Sequence, residues 1–349
     1  MNTRRRLLVA TPLLLSAMFA ARHWKRPRPG GDGAFLPPDE ALVRVAGTAF
    51  GTTVSLGALC PSGDRAGRAT RAALRCAMQE VQLIDGLFSL YRPDSQLSAL
   101  NRDGHLDAAH PHLLRNLEFA VQLGGLTRGA FDLTVQPLWE LFALAGREGR
   151  LPARPAIAAA RGLVDYRALR IDGERVRLER PAARVTLNSL AQGYAVDVVL
   201  DILRRSGIEA ALIDTGEIGN LGARAADRPW TVGIQHPRDR GALIALVAMD
   251  GRVLSTSGDY ATAFSADFRY HHIFDPAIGV SPTAWSSTIV LAGSGMVADG
   301  ISTALMVMER AAGAELVRAF PGSDALWIDK QAVMTATAGV PFVEEIDLG

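Results

Sequence analysis

Lysine is almost missing from this chain. Among 349 residues only Lys25 and Lys330 are lysine, and arginine supplies nearly all the positive charge. Cysteine is equally scarce, with Cys60 and Cys76 alone. Two cysteines exclude a disulfide framework and a cysteine zinc site, and leave open only whether they bridge each other. No cysteine follows the N-terminal apolar run closely, which argues against a lipoprotein anchor. A charge excess is also missing. Lys and Arg total 37 against 36 Asp and Glu, so the net charge is +1, and much of the basic excess lies in the first 28 residues. The rest has no reason to bind nucleic acid non-specifically. Gly216, Gly219 and Gly222 do not have the G-x-G-x-x-G spacing, and a strand at 230–234 follows them rather than a helix. That excludes a Rossmann loop. No internal repeat is evident. What is present is 48% hydrophobic and 21% charged, a globular composition.

Residues 1–26 predict a twin-arginine-type signal or signal anchor. Thr3-Arg4-Arg5-Arg6-Leu7-Leu8 precedes an apolar run over 7–21 that is short for a membrane span. Export to the periplasm is the expectation, with cleavage and inner-membrane anchoring both open. Residues 27–40, rich in Pro and Gly, predict a linker, and 41–349 the folded domain.

Within that domain, 43–56 predicts a strand pair or one bent strand, with Gly47 and Gly51 as breaks. Helical periodicity covers 65–88, 110–126 and 296–309, and Ser95 predicts the N-cap of a short helix through Leu100. A hairpin is predicted over 169–178, turning at Asp172-Gly173, and another at Asp329-Lys330. Strands at 243–249 and 252–255 are predicted to pair around Asp250-Gly251. Residues 270–276 predict a strand ending in a proline turn, and 287–292 a buried strand. Helices and strands mix without strict βαβ alternation, so the fold class is α+β.

The stretch 186–222 is central. Asn188 and Ser189 open an amphipathic helix whose predicted buried face is Leu190, Tyr194, Val198 and Ile202. Gly207 sits where a left-handed cap ends it. The turn before it reads either as a phosphate site or, more simply, as a plain helix cap.

Asp299 and Thr303 lie four apart and share a helix face, with Ser302 beside them. Carboxylate plus hydroxyl and backbone oxygens is hard-cation chemistry, suited to Mg²⁺. An Asp near a helix start also serves simply to complement the dipole. His272, near Asp275, reads either as a base oriented by a carboxylate or as a strand-end histidine held in a turn. His105, His110 and His112 match no metal spacing and read as solvated loop and helix-start residues.

The order of several motifs adds to this. AFGTTVSL, LFSLYRPDSQLSALNR, GAFDLTVQPLW, TLNSLAQGYAVD, STSGDY, HHIFDP and ADGISTALMVM run from about Ala46 to Met308. In that order they resemble the ApbE family of FAD:protein FMN transferases. The resemblance implies a single ApbE-like, T-fold-related domain of mainly antiparallel sheets packed with helices. It implies Mg²⁺-dependent transfer of the FMN half of FAD to a Thr or Ser hydroxyl of a partner redox protein, releasing AMP. Carried over by position, Asp299 and Thr303 would ligate Mg²⁺, with oxygens from Ser302 and Ser189. Phe50, Tyr91, Ala130, Phe131, Asp132, Thr186, Gln192, His272 and Ile273 would line the FAD site. His272 and Asp299 would be the catalytic residues. The chain departs from the common pattern in carrying Phe50 for Met, and Thr186 and Gln192 for Asp and Lys, a subtype reading Asn-Ser-Leu-Ala-Gln-Gly. The alternatives are an FAD pyrophosphatase giving FMN and AMP, and a non-catalytic flavin-binding or assembly protein.

Overall fold

The computed structural model describes residues 40–61, 63–225 and 227–343. The predicted signal, and the linker up to residue 39, lie outside the described residues.

Two β-strands open the domain. β1 (Glu40–Ala49) and β2 (Thr52–Pro61) pair antiparallel around Phe50 and Gly51, both with positive φ. Gly47 is not a break. It pairs with Val54 inside the ladder and leaves room for Met78, whose sulfur lies 2.9 Å from where a Cβ would stand. Helix α1 (Asp64–Phe88) packs on this hairpin. The next helices are α2 (Gln96–Asp103), capped by Ser95 as predicted, and α3 (Pro111–Leu126). α4 (Gln136–Arg147) and α5 (Arg154–Arg161) follow. A short β3 (His105–Leu106) joins the hairpin β4 (Leu169–Asp172) and β5 (Arg175–Leu178). Then come α6 (Ala191–Arg205), β6 (Ala211–Asp214) and β7 (Ile218–Leu221). β8 (Thr231–His236) and β9 (Asp239–Ala248) form a separate ribbon. β10 (Val253–Gly258), β11 (Trp285–Ala292), α7 (Gly295–Val307), α8 (Arg310–Arg318), β12 (Asp324–Asp329) and β13 (Met334–Ala336) complete the order.

The main sheet runs β1-β2-β6-β7-β10-β11-β12-β13, antiparallel at every pair. Both of its faces are covered. Val290 and Ala292 of β11 point into the helix-side core with α1, α6 and α7. Ile289 and Leu291 point the other way, into a core with Trp230 just before β8, Val232 and Ile234 of β8, and Val247 of β9. This is why β11 reads as a continuous apolar run rather than an alternating one.

Three expectations are corrected. β9 pairs with β8, and β10 with β7 and β11, so the runs at 243–249 and 252–255 do not form one hairpin. Aliphatic content on both sides of Asp250-Gly251 made the local pairing plausible, but the chain crosses from ribbon to sheet there. Residues 270–276 form no strand. The segment 259–284 is irregular, held by isolated bridges (Ala263 with His271, Asp275 with Val280). Its aromatic residues pin it to α4, with the Phe142 ring 5.1 Å from Phe274 and 5.7 Å from Phe264. Finally, α6 buries a broader face than predicted. Ala195, Val196, Val199, Leu200 and Leu203 go deepest, while Val198 and Ile202 are half-buried. Gly207 does take the left-handed conformation after the helix, at φ 73°.

Cys60 is buried, Cys76 is exposed, and both are free. His112 is not a solvated histidine. Its Nδ1 meets the Tyr194 hydroxyl at 2.7 Å and its Nε2 meets Glu80 at 2.7 Å, tying α1, α3 and α6 together.

Candidate active site

The site is built where α6 and α7 begin. A Cβ on Gly193 would collide with the Gly295 carbonyl, and a Cβ on Gly295 with the Gly193 carbonyl. Glycine at both positions lets the two helix starts meet backbone to backbone. Each helix then caps the other. The Asp197 carboxylate of α6 accepts from the Ser294 hydroxyl (2.7 Å) and from the N–H groups of Gly295 (2.5 Å) and Met296 (3.0 Å). Asp299 of α7 accepts from the Gly193 N–H at 3.1 Å. These are the N–H groups that a helix start cannot satisfy internally, and the dipoles favour a negative charge at both places.

Burial opposes that charge. It pushes Asp299 up to about 7 despite the Gly193 hydrogen bond. Glu217, just beyond β6, is raised well above its ordinary value, first by burial and then by Asp299. Its carboxylate accepts from the Thr256 N–H at 3.0 Å. Asp214 is pushed up to about 6, again by burial. Beside these carboxylates runs a row of hydroxyls. Ser257 Oγ lies 2.8 Å from Ser302 Oγ and 3.2 Å from Thr303 Oγ1, and Ser255 Oγ lies 3.3 Å from Ser302 Oγ. Thr288 donates to the Ser302 carbonyl at 2.7 Å. Carboxylates short of positive charge, next to hydroxyl oxygens, suit a hard divalent cation. Among the described residues no group of three His, Cys, Asp or Glu side chains is arranged to hold a metal. A cation here would therefore also need hydroxyl or backbone oxygens.

Gln192 lies at the same corner. Its Nε2 donates to the Thr215 carbonyl at 3.0 Å, and its backbone carbonyl accepts from Thr215 Oγ1 at 2.8 Å. Gly216, at φ 106°, leaves the space that the Gln192 amide fills. The turn ahead of α6 holds Ser189, half-buried, and Thr186, whose Oγ1 accepts from the Asn188 N–H at 3.3 Å.

The remaining predicted residues are spread more widely. Phe50 is half-buried in the β1–β2 turn, its N–H bonded to Asp85 at 2.7 Å. Tyr91 is 64% exposed. Ala130 is half-buried, while Phe131 is 2% exposed and belongs to the main core. The Asp132 carboxylate accepts from Thr134 N, Thr134 Oγ1 and Tyr166 N, which ties its turn to the segment before β4. Ile273 is buried.

His272 is not oriented by Asp275. Its Nδ1 meets the Thr262 carbonyl at 3.2 Å, while Asp275 accepts from the Ala277 N–H. A carbonyl only accepts, so Nδ1 carries the hydrogen and Nε2 keeps its lone pair. Burial holds the ring below its ordinary pKa, hence neutral near pH 7.

Sequence reasoning missed Asp197, Asp214 and Glu217. Asp197 stands four residues after Gly193 on α6, and Asp214 and Glu217 flank a glycine turn. Those spacings were visible, but the partners of Glu217 and Asp197 are 39 to 99 residues away, while Asp214 accepts from the Gly216 N–H of its own turn.

A family model described as the ApbE family matches residues 50–327. A Vibrio cholerae protein named FAD:protein FMN transferase is 33% identical over 276 residues, 76% of this chain and 81% of that one. A Salmonella typhimurium protein of the same name is 32% identical over 248 residues, 67% of this chain and 70% of that one. Among solved structures, the Vibrio cholerae flavin transferase ApbE superposes with a TM-score of 0.72 at 29% identity, covering 85% of this chain and 97% of that one. The apo Pseudomonas stutzeri flavinyl transferase ApbE gives 0.70 at 31%, covering 86% and 95%.

Proposed function

The chain belongs to the ApbE family, and from that premise we infer that it is an FAD:protein FMN transferase. Its substrates are FAD and an acceptor protein. The finer reading is that an acceptor Thr or Ser hydroxyl attacks the FMN phosphorus of FAD. A new O–P bond forms to the acceptor, the bridging P–O bond to the AMP half breaks, and AMP leaves.

The observation that carries this reading is the pair of buried carboxylates, Asp299 where two helix starts meet and Glu217 against β10, beside the hydroxyls of Ser257, Ser302 and Thr303. Asp299 and Thr303, with oxygens from Ser302 and Ser189, would hold Mg²⁺. When bound, such an ion supplies charge neutralisation for the phosphate oxygens. The chain's own residues do the rest. The Gly193–Gly295 contact fixes where Asp299 stands relative to α6. The Thr262 carbonyl holds His272 in the tautomer whose Nε2 can take the proton of the incoming hydroxyl. Tyr91, largely exposed, would offer a ring face to the isoalloxazine or adenine.

Export through residues 1–26 to the periplasm, with the N-terminus cleaved or kept as an inner-membrane tether, accompanies this reading. The expected acceptor is an exported or membrane redox subunit.

The test is mass spectrometry of candidate acceptors after incubation with FAD and Mg²⁺. An FMN-sized adduct on Thr or Ser, with AMP released in equal amount, is the expected result. Rapid FMN release without any acceptor would instead make water the nucleophile and the enzyme a pyrophosphatase.

A further inference from the structure

One cluster in the fold carries more positive than negative charge and is absent from the mechanism above. Asp259 follows β10 and is fully buried. Arg238, between β8 and β9, holds it with two hydrogen bonds of 2.7 Å, one to each carboxylate oxygen. Lys330, in the turn after β12, donates to the same carboxylate at 2.7 Å. Two cations thus share one carboxylate. Both are about three-quarters buried, with side-chain exposures of 27% and 24%. The adjacent carboxylate, Asp329, accepts from the N–H groups of Gln331 and Val333. His271, close by, is pushed down to about 4, mainly by burial, so it adds no charge.

Arg238 is committed. Besides Asp259 it binds Ser286 Oγ at 2.8 Å and the Pro237 carbonyl, and it lies over the Phe268 ring. Lys330 has one partner, Asp259, among the described residues, which leaves two of its three N–H donors over. A partly buried cation without full compensation is costly to keep unless an anion comes to it. Its position fits an anion at the active site. Gly258 pairs with Ser287, and Ser287 with Ile328, so Asp259, Ser286 and Lys330 lie at one end of three neighbouring strands. Ser257, which touches Thr303 on α7, is two residues before Asp259, about 7 Å of extended chain. A diphosphate spans such a gap. Gln192, by contrast, is neutral, and its amide is bonded to Thr215.

We propose that Lys330, backed by the Arg238–Asp259 pair, is an anion subsite that receives the diphosphate of FAD from the side opposite Asp299. This rests on the reading of the chain as an FAD-using enzyme. Lysine suits the task because its compact ammonium turns its free donors to whatever oxygens arrive, while the planar arginine fork is already spent on Asp259.

The scarcity of lysine makes the test clean. In the full-length protein, amine acylation mapped by mass spectrometry can mark only Lys25, Lys330 and the N-terminus. FAD, and inorganic pyrophosphate, are expected to cut labelling of Lys330 several-fold, while riboflavin leaves it unchanged. In parallel, Lys330→Met is expected to weaken FAD binding about tenfold, the loss of one charge-assisted hydrogen bond. Riboflavin binding should stay within about twofold, and Lys330→Arg should recover most of the FAD affinity. Labelling indifferent to both FAD and pyrophosphate overturns the proposal. So does an equal loss of FAD and riboflavin binding in Lys330→Met, which would make Lys330 a purely structural partner of Asp259. If the unaltered protein binds no FAD, the reading of the reaction fails instead. Protection by pyrophosphate alone would then still support the anion subsite.

Discussion

The crossing of α6 and α7 and the irregular segment 259–284 flank the same row of hydroxyls, but they are built in opposite ways. The crossing is backbone against backbone. Gly193 and Gly295 touch, and two aspartates cap each other's helices through backbone N–H groups. The segment is side chain against carbonyl. His272 hangs from Thr262, His271 from Ser281 and Pro282, and the aromatic rings around Phe142 do the fastening. The crossing concentrates carboxylates that lack positive charge, whereas the segment adjoins the Arg238–Lys330 pair. One face of the site is thus rigid and acidic, and the other is irregular and basic. A ligand carrying both a diphosphate and its own cation meets complementary charge on each side.

The largest effect is expected from Asp299→Asn. The amide keeps the shape but cannot supply the charge, so FMN transfer should fall at least about a hundredfold. Stability should move the other way. Unfolded, this carboxyl titrates near 3.8, and folded near 7. Between those values the native protein still holds a proton that the unfolded chain has lost, so stability falls as pH rises toward 7. Without Mg²⁺, thermal melts between pH 5 and 8 should show a shallower decline in Asp299→Asn than in the unaltered protein. Glu217 and Asp214 would supply the slope that remains. An unchanged slope would mean that the acidic face is not short of positive charge.

Next comes Gly295→Ala. The new methyl would meet the Gly193 carbonyl, a backbone atom that cannot swing aside. Overpacking of this kind costs about 3 kcal/mol at the upper end of its usual range, and denaturant midpoints would read it. A loss below about 1 kcal/mol would show that the crossing can slide and is not the rigid half of the site.

The irregular half is tested by a contrast. His272→Ala should slow transfer about a hundredfold, within the usual contribution of a positioned base. Asp275→Asn should leave the rate within about twofold, since its carboxylate serves the Ala277 N–H of its own turn. Equal losses in both variants would restore Asp275 as the group that orients the histidine.

The same contrast shows what the sequence made legible. Helical spacing put Asp299, Ser302 and Thr303 on one face, and they stand there beside Ser257. Ser95 and Gly207 marked helix ends through local chemistry that needs no partner elsewhere. Nothing local pairs His272 with Thr262, or crosses the chain from β9 to β10, because those choices depend on what covers the other face of the sheet. Asp197 and Glu217 were hidden for a related reason. A carboxylate's role depends on the N–H groups that reach it, and these come from other elements. Phe131 and Asp132 have roles in the fold that their motif alone does not show: the ring fills the core, and the carboxylate ties its own turn at Thr134 to Tyr166, 34 residues on.

The smallest effect is expected from Gln192→Lys, and it bears most directly on the division of charge between the two faces. The added ammonium would enter the corner held by Thr215 and Gly216, within reach of carboxylates that burial now keeps partly protonated. It should lower the pH at which Asp299 and Asp214 ionise. The pH-dependent loss of stability without Mg²⁺ should therefore become shallower. The cost is the Gln192–Thr215 hydrogen bond, about 1 kcal/mol, so net stability near pH 7 should change little. FAD affinity should stay within about threefold, because the diphosphate already meets positive charge at Lys330. Calorimetric titration of FAD into the two proteins measures this directly. A tenfold gain in affinity would instead place the missing cation at the start of α6, and the basic face would then be no substitute for it.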